Sequence, residues 1–242
     1  RFPLLNYLGS IFFITLAISA LIILLVKGDT ANYWLLAFIG ILSVLCASQL
    51  ASGVVNFLST LIVRPSLLPR MDYSRGIPEE SRTLVVIPCM LNNTEEIDSL
   101  LESLEVHFLA NKGDNLHFGL LTDFADADKK ELPEDEKLLN LAHQGINELR
   151  QKYSAQRTDI FFLFHRNRKW NPAQGKWMGY ERKRGKLDEL NGLLRRNATD
   201  DFSLIVGEQS VLSTIKYVIT LDSDTQLPRD AAWKMVGAIA HP

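Results

Sequence analysis

The chain is predicted to be an α/β protein with a mostly parallel sheet and flanking helices, preceded by a transmembrane helical hairpin. Three observations predict this. The first 63 residues hold only three charged side chains, Arg1, Lys27 and Asp29. After them, short apolar runs rich in β-branched residues alternate with stretches of helical periodicity, the pattern of parallel strands joined by crossover helices. Several of those runs end in polar residues, as strands do where an open sheet meets a ligand.

Residues 2–26 and 30–63 carry no charge. Each stretch exceeds the roughly 20 apolar residues needed to cross a bilayer core. The spans are expected at about 4–26 and 33–55, joined by a polar turn at Lys27-Gly28-Asp29-Thr30. The second apolar stretch runs on to Val63, either as one long tilted helix or bending near Gly53. Arg64, Arg70, Arg75 and Arg82 follow, against Asp72, Glu79 and Glu80. This bias puts residues 64–242 in the cytoplasm, with Tyr33 and Trp34 as anchors at the opposite interface. The expected division is 1–63 membrane hairpin, 64–82 linker and 83–242 a cytoplasmic domain. The chain starts at Arg1 without an initiator Met, and a fragment of something longer is expected.

Residues 83–88 read as a buried strand. Asn93 then caps a helix to about residue 110, with Glu96 completing a capping box. A second strand, 116–123, ends in Asp123. Seven acids against two lysines between 123 and 136 read as a solvated loop. A helix at 134–153 and a strand at 159–164 follow. Residues 165–186 hold eight Lys or Arg against one acid, Glu181, interleaved with Trp170, Trp177 and Tyr180. A helix at 186–196, a strand at 216–221 and a helix at 229–240 complete the pattern. Cys46 and Cys89 offer neither a disulfide framework nor zinc spacing. The net charge of −2 predicts no general attraction to nucleic acid.

The strand at 216–221 ends in Asp222-Ser223-Asp224. On an extended backbone both carboxylates face one way, and two hard oxygen ligands at a cleft edge suit Mg²⁺ or Mn²⁺ shared with substrate phosphates. Pro88-Cys89-Met90 and Asp123 end two other strands and are expected at the same edge; Asp123 can accept hydrogen bonds from a uracil or ribose. The run Arg182-Lys183-Arg184-Gly185-Lys186 supplies the positive charge a leaving diphosphate needs, with Lys186 expected at a helix start.

The order strand-Pro88, strand-Asp123, Gly185-Lys186-Leu187-Asp188-Glu189-Leu190-Asn191 and Asp222-Ser223-Asp224 resembles the membrane-bound processive glycosyltransferases of the GT-A fold, the cellulose-synthase-like group. Thr122-Asp123-Phe124-Ala125-Asp126-Ala127, Trp170-Asn171-Pro172 and the string from Gly175 to Leu187 are similar to the glycosyltransferase region of cyclic β-1,2-glucan synthases. The likeness runs from about Thr83 to Pro242. It implies a GT-A-like fold and transfer of glucose from UDP-glucose, with inversion, to a growing β-1,2-glucan acceptor. It implies that Pro88, Cys89, Met90 and Asp123 hold the uridine, and that Arg184, Lys186 and Asn191 lie by the diphosphate and sugar. Asp222 and Asp224 then hold the divalent metal on the diphosphate. It further implies a bacterial-type inner membrane, more membrane spans and the rest of a larger multidomain polypeptide. The general base and a Gln-x-x-Arg-Trp acceptor motif are expected beyond Pro242.

Three other readings compete. One is a different processive polysaccharide synthase of the same group. Another is a haloacid-dehalogenase-like phosphatase, whose motif wants Thr or Val two places after the second aspartate, where this chain has Gln226. The third is a non-catalytic adaptor whose basic loop binds lipid.

Overall fold

A computed structural model describes residues 3–27, 32–62 and 68–242. The chain divides into two compact units, Arg1–Leu67 and Leu68–Pro242.

The first unit holds α1 (Pro3–Lys27) and α2 (Tyr33–Ile62). Both are long and apolar enough to cross a membrane. The buried positions of α2 are Ser43, Ala47, Ala51 and Val55, spaced four apart. Small side chains at this spacing form one seam that lets helix backbones approach closely. Leu4, Phe13, Leu24, Phe38, Leu45, Phe57 and other large apolar side chains point outward, which in water would be unfavourable and in lipid is not. α2 continues through Gly53 as one helix to Ile62. The expected turn at 28–30 and the first residues of the expected linker, 64–67, lie outside the described residues.

The second unit is built on a five-stranded sheet of β1 (Thr83–Leu91), β2 (Leu116–Phe124), β3 (Phe161–His165), β6 (Leu204–Val206) and β7 (Tyr217–Thr220). Their order across the sheet is β6-β3-β2-β1-β7. β1, β2, β3 and β7 are parallel, and β6 closes the edge antiparallel to β3. The central strands are continuous apolar runs because both faces are covered. Val85, Ile87, Phe118, Leu120, Phe161 and Leu163 pack on the side of α3 (Thr94–Ala110), α4 (Asp135–Lys152) and α6 (Ala231–Ile239). Their neighbours Leu84, Val86, Leu121, Phe162 and Phe164 face α5 (Arg182–Arg196) and the short helix Gln209–Thr214.

The helix α3 starts as the sequence indicates: the Asn93 side chain accepts a 2.8 Å bond from the Glu96 amide and donates one of 2.9 Å to its carboxylate. Several features differ from expectation. Much of the expected linker is part of the core unit. Ile77 is buried and the Met71 amide donates to the Gly237 carbonyl of α6 at 2.9 Å. The basic stretch contains a small hairpin, β4 (Lys169–Asn171) and β5 (Lys176–Met178), whose Trp170 and Trp177 pair across it. α5 begins four residues before the expected start.

Candidate functional site

Because β1, β2 and β7 are parallel neighbours, their carboxyl ends share one edge. Met90 lies beside Asp123 in register, and β1 pairs with β7 up to Val86 and Thr220. Asp123 and the Asp222–Asp224 segment therefore flank the end of β1 on either side. A cleft of about 460 Å³ opens at this edge. Pro88, Cys89 and Met90 form its floor, Asp123 and Lys186 its inner wall, and Arg182, Lys183 and Asp224 part of its rim.

The inner wall is backed by a charge cluster withdrawn from water. Asp123, Arg166 and Lys186 are all buried. Arg166 Nη2 donates to Asp123 Oδ2 at 3.1 Å, and Nη1 to Glu189 Oε2 at 2.9 Å. Lys186 Nζ donates to the Cys89 carbonyl and lies 2.8 Å from Asp123 Oδ1. That last approach is off the hydrogen-bond axis, so Oδ1 has a charge contact but no hydrogen-bond partner. Oδ1 is withdrawn from solvent, and the ion pair with Lys186 is what compensates its charge. Glycines make the cluster possible: a Cβ at Gly179 would fall on Asp123 Oδ2, and one at Gly185 on the Tyr180 carbonyl.

The rim is paired as well, but in solvent. Arg182 Nη2 lies 2.7 Å from Asp126 Oδ2, and Lys183 Nζ meets Asp222 Oδ1. Every lysine or arginine lining the cleft thus already holds a carboxylate.

Neighbouring groups are uncharged by burial. Desolvation pushes the Cys89 thiol up to about 12, so it is not a nucleophile at neutral pH. Desolvation lowers His165 to about 3; its Nδ1 meets Thr122 Oγ1 at 2.8 Å and behaves as a neutral packing group below the sheet edge.

Asp222 and Asp224 are not on an extended backbone. β7 stops at Thr220, and the Thr225 amide bonds back to the Asp222 carbonyl at 2.9 Å, closing a turn. The alternation argument for two parallel side chains therefore fails here. Asp224 faces the cleft, and Asp222 reaches it through Lys183. Among the described residues no group of three or more His, Cys, Asp or Glu is gathered as a metal cage. Two carboxylates at the mouth still fit a Mg²⁺-type ion, which takes one or two protein carboxylates and completes its shell with water and substrate phosphate.

No protein-family model matches the chain. Over 202 residues, 84% of the chain, it is 46% identical to cyclic beta-(1,2)-glucan synthase NdvB of Rhizobium meliloti. The chain is homologous to a short segment of that synthase. This agrees with the likeness to cyclic β-1,2-glucan synthases read from the sequence, and the chain spans 7% of the relative's length.

Within this glucan-synthase-like segment, the structure gathers Pro88, Cys89, Met90, Asp123, Lys186 and Asp224 around one cleft. Arg184 and Asn191 are not among its lining residues; both are exposed on α5, and Arg184 lies 3.6 Å from Glu181. Lys186 sits in the second turn of α5, not at its start. Sequence reasoning missed Arg166, Asp126 and Glu189. Only the density of cations around Arg166 could have drawn attention to it, and that density reads as a solvated loop.

Proposed function

We propose that the cleft binds UDP-glucose and that the protein takes part in inverting transfer of its glucose to a growing β-1,2-glucan, as a membrane-anchored, cytoplasm-facing glycosyltransferase. The observation that carries the reading is the meeting of Pro88–Met90, Asp123, Lys186 and Asp224 at the carboxyl edge of a parallel sheet. Homology to a glucan synthase supports glucan as the product.

Asp123, which lines the cleft beside Lys186, accepts a donor from the uridine, and the Pro88–Met90 floor supports the base. The diphosphate draws Arg182 from Asp126 and Lys183 from Asp222, because a doubly charged oxyanion attracts cations more strongly than a solvent-screened Asp does. Lys186 stays on Asp123 and keeps the inner wall fixed. Asp222, released by Lys183, joins Asp224 as a site for a divalent cation. When bound, Mg²⁺ or Mn²⁺ supplies Lewis-acid stabilisation of the leaving UDP. The two apolar helices anchor this chemistry to a bilayer.

The test is UDP-glucose-dependent synthesis of β-1,2-glucan by the full-length protein. Asp222→Ala and Asp224→Ala are expected to abolish it together with its response to added metal. Synthesis retained in both variants would contradict the metal role.

A further inference from the structure

We propose that Arg166 is the positioning residue of the cleft: it clamps a strained turn so that Arg182 and Lys183 face the diphosphate while Asp123 is held for the uridine. This rests on the reading of the cleft as a donor site.

Arg166 is only 1% exposed. An arginine that deep is tolerated only where its charge is compensated; Nη1 and Nη2 are both paired, while Nε finds no partner among the described residues. One nitrogen, Nη2, reaches Asp123 Oδ2, the Tyr180 carbonyl at 3.0 Å and the Arg182 carbonyl at 3.0 Å. Nη1 is held by Glu189 of α5. The two carbonyls bracket Glu181. Glu181 and Arg182 both lie at positive φ, 53° and 49°, a region non-glycine residues occupy at a cost and only where the surroundings hold them. A guanidinium gripping the carbonyls on both sides of Glu181 is such a hold.

The side chains that leave this turn, Arg182 and Lys183, line the cleft. Arg166 itself does not line it, so it acts through the turn and through Asp123. Gly179 and Gly185 fit the same account. A Cβ at either would crowd the guanidinium, 3.2 Å from Nη2 or 3.1 Å from Nη1. A lysine could keep the charge but not the fork that serves Asp123, two carbonyls and Glu189 together.

The experiment measures UDP affinity calorimetrically, and KM and kcat for UDP-glucose, in the full-length protein and in Arg166→Lys. The expected result is a native circular-dichroism spectrum, UDP binding weakened about tenfold, the scale of a lost charge-assisted bond, and a KM raised more than kcat is lowered. A folded Arg166→Lys protein with wild-type UDP affinity and KM overturns the proposal, even if its melting temperature falls. Should Arg166→Lys fail to fold, Glu189→Gln, which keeps the arginine but neutralises its α5 partner, is expected to weaken UDP about threefold; unchanged affinity there also overturns it. If the wild-type protein itself binds no UDP, the donor-site reading falls and this proposal with it. Normal wild-type binding with unaffected variants removes only the role of Arg166.

Discussion

The inner wall and the rim of the cleft are made of the same chemistry, carboxylates facing Lys and Arg, yet they differ in what surrounds them. The side chains of Asp123, Arg166 and Lys186 are 2%, 1% and 5% exposed. Those of Arg182 and Lys183 are 61% and 48% exposed, and their partners Asp126 and Asp222 26% and 62%. Water screens the rim pairs, so each contributes little and can be exchanged for a better anion. The inner charges cannot separate without leaving an uncompensated ion in a low-dielectric interior. The inner wall therefore fixes geometry, and the rim is free to change partners when a diphosphate arrives.

Four outcomes sharpen or break this contrast. The largest is expected for Asp123→Ala, which strands Arg166 and Lys186. Removing one member of a buried pair costs about 3–5 kcal/mol, readable as a shift of the denaturation midpoint of residues 68–242; a neutral effect would mean the inner cluster is hydrated.

Acid should act next. His165 and His117 are held neutral by burial, at about 3 and about 4. Their folded values lie below the unfolded value of about 6.5, so the unfolded chain takes up protons first. Stability is full above about pH 6.5 and falls as pH drops towards 4, by about 3 kcal/mol per histidine. The check is the pH dependence of the denaturation midpoint, with His165→Gln expected to flatten it.

Gly179→Ala pushes a methyl group against the Asp123 carboxylate. It should cost about 1–3 kcal/mol, as overpacking does, and weaken UDP binding in the same variant.

The smallest stability effect belongs to Lys183→Ala, under about 1 kcal/mol. Its UDP affinity should nonetheless fall about tenfold. Calorimetry that showed a large stability loss and intact UDP binding would reverse the roles assigned to wall and rim.

Local signals made much of the fold legible. The apolar run opening β1, the Asn93 cap and the periodicity of α3 and α4 depend on neighbours in sequence, and each is found where expected. Asp123 at the end of β2 was legible for the same reason. The charge cluster was not, because its pairing is long-range: Arg166 meets Asp123 across 43 residues and Glu189 across 23. Nothing within a window around Arg166 distinguishes a buried arginine from a solvated one, and Arg168 and Lys186 of the same stretch are buried too. The turn after β7 was hidden for a subtler reason. Strand periodicity extended past Thr220 puts both carboxylates on one side, whereas the Thr225 amide turns the backbone back onto the Asp222 carbonyl. β6 and the β4–β5 hairpin are three-residue strands, too short for alternation to register.

The central claim, that a nucleotide sugar occupies this sheet edge, is tested most directly by photo-crosslinking the full-length protein with azido-UDP-glucose and mapping the labelled peptides by mass spectrometry. Label within residues 88–92, 123–126 or 179–186, competed away by UDP-glucose, is the predicted result. Competable label confined to peptides outside the cleft would contradict the account.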